Sequence, residues 1–148
     1  MNLAPLLDAP VAIVLHALAA GAAFALGLVQ FAMPKGTISH RTLGWIWVSL
    51  MSAVALSSFA IHQIRMVGPW SPIHALSIFT LLTLPAAVFA ARSHRVHAHR
   101  AAMISIFLGA LLVAGAFTLV PGRIMHKVFF GSVGNPAAVK AALPHQAK

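Results

Sequence analysis

Val11–Ala32 reads VAIVLHALAAGAAFALGLVQFA, a run with no charged side chain and a single histidine. A helix of ~20 predominantly apolar residues crosses the hydrocarbon core of a bilayer, so this stretch is long enough to span by itself. No basic segment precedes it, no small-residue cleavage site closes it, and it is too long for a signal-peptide core. It therefore reads as a span of the mature chain, ended by Met33-Pro34-Lys35-Gly36. Similar runs follow at about 42–64, 72–91 and 101–120, the last closed by Pro121-Gly122. Their short links, 33–41, 65–71 and 92–100, force successive helices antiparallel. The expected fold is thus an all-α, transmembrane, up-down four-helix bundle over residues 1–131. Pro85 falls inside the third run and is expected to kink it or free a carbonyl there. Residues 132–148 read as an Ala/Pro tail with no core of its own.

Composition requires the same solvent. Of 148 residues, 60% are hydrophobic and 7% charged, with a mean hydropathy of +0.92. A soluble domain carries roughly 25% charged residues, so this chain cannot build a water-facing surface. It has no cysteine, which excludes disulfides and thiolate chemistry. Asp8 is its one acid, which all but excludes carboxylate acid–base catalysis. There is no Ser-His-Asp arrangement, P-loop or Gly-rich dinucleotide fingerprint, so a hydrolase is not expected. The formal charge of +9 suggests nucleic acid at first sight. The cations, however, sit in short loops beside apolar runs, the pattern of anchoring to anionic headgroups.

The first and third links carry Lys35, Arg41, Arg92, Arg95 and Arg100; the other side carries Arg65, Arg123 and Lys127, with Lys140 and Lys148 along the tail. Positive-inside bias then places both termini on the outer side of the membrane. Trp45 and Trp47 are expected at the inner interface and Trp70 at the outer one.

At an offset of 58 or 59 residues the two halves match. His16-Ala17-Leu18 recurs as His74-Ala75-Leu76, His40-Arg41 as His99-Arg100, and Phe59 with Arg65 as Phe117 with Arg123. Polar residues that recur near a membrane point to two helical hairpins in tandem. In an antiparallel bundle His16 and His74 would face each other across one diagonal at the outer end, and His40 and His99 across the other at the inner end. On the first span His16, Ala20, Ala23, Gly27 and Gln30 form one stripe, whose small residues would leave room for something flat.

Nine histidines are many for so apolar a chain. His94, His97, His99 and His40 read as loop or interfacial residues in the first instance, as does His145 in the tail. His16 lies inside a span, where polar side chains usually face a bundle interior or a site. Bis-imidazole ligation of haem needs two neutral histidines, small neighbours and cations for the propionates. His16 and His74 with Arg65 and Arg123 supply these, and His40 and His99 with Arg41 and Arg100 would form a second site. The rival is a copper or zinc ion at His16, His62, His74 and His126, with Met66 and Met125 nearby. Arg65 and Arg123 oppose a bare cation and favour an anion such as a propionate, a quinone- or ascorbate-like substrate, or a lipid phosphate. His62 and His126 would then serve substrate or protons. A third reading makes the histidines helix-to-helix contacts in an accessory subunit of a larger membrane complex or a homo-oligomer.

Four motifs carry a resemblance: His40-Arg41-Thr42-Leu43-Gly44-Trp45, Ser57-Ser58-Phe59-Ala60-Ile61-His62-Gln63-Ile64-Arg65, Gly68-Pro69-Trp70-Ser71-Pro72-Ile73-His74, and Pro121-Gly122-Arg123-Ile124-Met125-His126. Across about 36–131 the chain resembles a bacterial family of uncharacterised predicted membrane proteins, which implies four spans and brings no known activity. In layout it is similar to the two-haem transmembrane cytochromes b, including ascorbate-dependent ferric reductases. That likeness is architectural and implies histidines paired across the diagonals of a four-helix core. The chain departs from it in having four spans rather than six and shallow inner histidines. The expected function is haem b binding and electron transfer.

Overall fold

The computed structural model describes residues 3–61 and 72–130. His62, Arg65, Met66, Trp70 and the tail lie outside the described residues. Among the described residues all regular structure is helical. The elements are α1 (Ala4–Leu7), α2 (Val11–Ala32), α3 (Ile38–Ser58), α4 (Pro72–Arg92), α5 (Val96–Ile106), α6 (Ala114–Thr118) and α7 (Ile124–Phe130). A π-helical stretch, Phe107–Val113, joins α5 to α6. The chain divides into two compact units, Pro10–Phe117 and a second formed by Met1–Ala9 with Thr118–Lys148. In the second unit α1 packs against α7.

Local chemistry sets the helix ends of the first unit. Pro34 restricts Met33 to extended backbone (ψ 152°), so α2 stops there. Gly36 turns the chain at φ +82°, and the hydroxyl of Thr37 caps α3 by accepting the His40 N–H at 3.1 Å. At the end of α4, Arg95 N–H reaches Ala90 O at 2.8 Å and His94 N–H reaches Ala91 O at 3.2 Å. This closes a Schellman motif with His94, rather than glycine, in the left-handed region at φ 57°. α4 runs on through Pro85.

α2 and α3 are antiparallel, as three hydrogen bonds in reverse register require: His16 to Ser57, Ala23 to Trp47, and Gln30 to His40. α4 and α5 are antiparallel too, since His99 meets Ala87 while Gly109 lies opposite Leu76. α3 and α4 pack side by side between these hairpins. The core is Ala23, Trp47, Met51, Leu84, Ile106, Phe107 and Leu111. Phe107 fills a notch at Gly27, stacked on Phe24 (centroids 5.5 Å) and edge-on to Phe31 (4.9 Å).

Large apolar side chains such as Leu18, Leu82, Phe89 and Phe117 project outward. Val11–Ala32, His74–Arg92 and Val96–Thr118 are long and apolar enough to cross a membrane. Among the described residues these are three candidate spans, where four were expected over the chain. The run expected at 42–64 is helical to Ser58, and serines, threonine and glycine lower its hydropathy. Two further expectations are corrected. Trp47 is a core residue, 4% exposed, with its indole N–H donated to Ala23 O at 2.9 Å, whereas Trp45 is 56% exposed. The small-residue stripe is filled at Ala23 and Gly27 by Trp47 and Phe107, because the interior side chains are themselves the flat objects that fit there.

Candidate functional site

Two polar clusters lie in the first unit, one at each end of the α2–α3 pair. At the first, His16 stands half-buried in the second turn of α2. Its Nδ1 lies 2.8 Å from Ser57 Oγ, whose hydroxyl proton is donated to Val54 O at 3.1 Å. With that hydroxyl proton on Val54 O, the ring donates to Ser57 from Nδ1, and Nε2 of the neutral imidazole carries the lone pair. The next residue, Ser58, is hydrogen-bonded to Ser77 across α3 and α4 and donates to Ala55 O at 2.7 Å. His74 is buried, 7% exposed, with its ring tilted against Phe59 at 5.6 Å between centroids. The end of α3 thus receives both histidines, on Ser57 and on Phe59.

The second cluster gathers Gln30 of α2, His40 of α3 and His99 of α5. Gln30 Nε2 donates to His40 O at 3.1 Å. Gln30 Oε1 and His40 Nδ1 are buried without a hydrogen-bond partner, a costly arrangement unless something polar meets them. His99 Nδ1 lies 3.0 Å from Ala87 O. A carbonyl only accepts, so Nδ1 is the donor, and in the neutral ring Nε2 carries the lone pair. Lys35 donates to Phe31 O at 2.7 Å and Met33 O at 2.6 Å, capping the C-terminus of α2 and holding its charge near this cluster.

His40 precedes the apolar part of α3, and its pKa is lowered, first by burial and then by the charges of Lys35 and His99. A histidine whose folded pKa is below its unfolded value favours unfolding when protonated. Its contribution is complete above the ordinary value near ~6.5 and is lost as pH falls through the folded value. Wild type is therefore expected to lose thermal stability between pH 7.5 and pH 5 more than His40→Gln does. Equal losses in detergent melts of the two proteins would count against this.

The remaining histidines divide. His94 serves the α4 cap, and His97 is exposed in the first turn of α5. Arg123 and His126 belong to the second unit, where the His126 ring lies 5.1 Å from Phe130. Of the expected outer set of His16, His62, His74 and His126, the described residues of the first unit hold His16 and His74, while His62 lies outside the described residues. Among the described residues no three His, Cys, Asp or Glu side chains form a metal-sized group. Sequence reasoning missed the roles of Ser57, Ser58 and Ser77. Their signal was hydroxyls near helix ends at the height of His16 and His74.

The family described as predicted membrane protein (DUF2306) matches residues 13–139. No curated protein and no solved structure matches the chain.

Proposed function

The chain belongs to this family of predicted membrane proteins, and from that premise we propose a four-span bundle that binds haem b at paired histidines and transfers electrons. α3, from Thr42 onward, supplies the fourth crossing beside the three apolar helices, and the hairpins α2–α3 and α4–α5 stand in up-down order. The basic links, with Lys35, Arg41, Arg92, Arg95 and Arg100, face the cytoplasm, and both termini lie on the outer side of an inner membrane.

The observation that carries the cofactor reading is the His99 Nδ1–H donated to Ala87 O. Metal-ligating histidines are commonly held in this way, with the second nitrogen tied to a carbonyl and Nε2 presented. His16 is held by its hydrogen bond with Ser57, so each diagonal pair has an oriented member. His40 and His99, on the first turns of α3 and α5, form the favoured pair. Burial and the Lys35 charge keep His40 neutral, as a ligand must be, and its orphaned Nδ1 and Gln30 Oε1 fit a polar occupant nearby. Arg41 and Arg100, each next in sequence to one of these histidines, would meet the propionates. His16 and His74 form the second pair. Haem held there would supply one-electron chemistry, and a quinol- or ascorbate-type donor is the class of substrate that suits it.

A second reading has its own support. His16 links α2 to α3, and His99 links α5 to α4, so both histidines already act as struts between helices. On that reading the chain is an accessory subunit of a membrane complex. Copper or zinc at the outer His/Met set is the remaining alternative.

Oxidised and reduced visible spectra, with elemental analysis, of protein purified from haem-replete cells separate the three. A stoichiometric Soret band that disappears in His99→Ala and His40→Ala is the expected result. Absence of that band from wild type despite ample haem sinks the cytochrome reading. Stoichiometric copper or zinc, lost in His16→Ala and His74→Ala, would establish the metal site instead. A metal-free chain that co-purifies with a stable partner would favour the subunit.

A further inference from the structure

A groove of about 370 Å³ runs along the outside of the first unit between α3 and α4. Val48 and Ser52 of α3 and Leu81, Leu84, Pro85 and Val88 of α4 line it, and Trp45, Phe89 and Arg92 border its basic end. The Ser52 hydroxyl donates to Val48 O at 2.9 Å, so the lining asks for no polar ligand along its length. From Leu81 to Arg92 the groove spans eleven helical steps, roughly 16 Å at 1.5 Å per residue. That is about half the ~30 Å hydrocarbon thickness, the depth of one leaflet.

Its end is charged. Arg92 is exposed there, and Trp45 beside it has the amphipathic ring suited to headgroup level. The whole chain has ten Lys and Arg against one Asp or Glu, so its side-chain carboxylate leaves most of these cations unbalanced. The cations of this end must find their counter-charge outside the protein. An apolar trough one leaflet deep, ending in an arginine short of acidic partners, matches the shape and charge of one molecule class.

We propose that the α3–α4 groove is a specific site for an anionic phospholipid, its acyl chain on Val48, Leu81, Pro85 and Val88 and its phosphate on Arg92. The site depends on the chain's place in the membrane and not on the haem reading. A bidentate guanidinium–phosphate pair beside a low-dielectric trough is stronger than the diffuse attraction of a basic surface for anionic lipid. Selectivity therefore resides in Arg92 and not in the neighbouring Arg95, which lies on the α4–α5 turn outside the groove.

Native mass spectrometry of the full chain in detergent tests this, with phosphatidylglycerol and phosphatidylcholine of identical acyl chains as probes. Wild type is expected to retain one phosphatidylglycerol at collision energies that strip phosphatidylcholine. Arg92→Gln should remove that preference, leaving the two lipids equally retained. Arg95→Gln should keep it, and Ser52→Leu, which narrows the trough, should weaken retention of both. Thermal melts establish that each variant is folded. The proposal is overturned if wild type holds both lipids equally, or if Arg95→Gln loses the preference as fully as Arg92→Gln. It is also overturned if the lipid-free chain runs as a dimer that Ser52→Leu dissociates, since the groove would then be covered by a second copy.

Discussion

Trp47→Ala is expected to destabilise the protein more than any other single truncation, near the low end of the ~3–5 kcal/mol seen for buried aromatic residues. The indole lies among Ala23, Met51, Leu84 and Ile106, and donates to a carbonyl of the adjacent helix. The low end applies because a separated membrane helix exposes its apolar face to lipid rather than to water. Removing a side chain then forfeits packing and a hydrogen bond but little transfer energy. Trp47→Phe isolates the second part: most of the volume stays, and the loss should be about 0.5–1.5 kcal/mol for the N–H to Ala23. Unfolding of the three proteins in mixed micelles by a graded denaturing detergent reads both steps. If Trp47→Ala were no worse than Trp47→Phe, the indole would not be the packed core residue described here.

The second large effect is expected from adding rather than removing atoms. A Cβ on Gly27 would lie 2.6 Å from Phe107 Cε2, 2.7 Å from Cδ2 and 3.1 Å from Trp47 Nε1. The Phe107 ring cannot swing away cheaply, because Phe24 lies against its face and Phe31 meets it edge-on. Gly27→Leu should therefore cost about 1–3 kcal/mol or more through overpacking. Phe107→Ala alone leaves a cavity at the start of the π-helical stretch and is destabilising too. Combined in one chain, the two should cost clearly less than their sum, since the new leucine occupies the space the ring has left. Strict additivity in melts of the double variant would show that the two positions do not meet. Gly21 is the internal control: nothing lies within 4 Å of its Cβ direction, so Gly21→Ala should be tolerated.

These two sites mark where sequence reasoning reached and where it stopped. His16, Ala20, Ala23, Gly27 and Gln30 were legible as one face of one helix, because a period of 3.6 needs only the spacing of residues. The occupant of that face was not legible. Phe107 is 80 residues further along the chain, and no local pattern separates an aromatic that fills a notch from one that faces lipid. Trp47 shows the same limit. Beside Trp45 near the end of an apolar run it has the signature of an interfacial anchor, yet it turns inward because Ala23 is small enough to let it approach.

The candidate site divides in the same manner. That histidines would collect at both ends could be read from His16, His40, His74 and His99 and their recurrence. Which nitrogen each presents could not, since that depends on a partner from another helix: Ser57 for His16 and Ala87 for His99. His62 and Arg65 remain assigned by sequence, and Arg123 and His126 belong to the second unit.

What the sequence by itself determined is the solvent. Nearly unbroken apolar runs, one acid and short basic links dictate helices in lipid, because no other arrangement satisfies so many backbone groups with so few charges. The tertiary structure decided what the interior contains and how its histidines are held. Both follow from close approach between residues far apart in the chain, and packing at that range is set by shape and hydrogen-bond partners rather than by hydropathy.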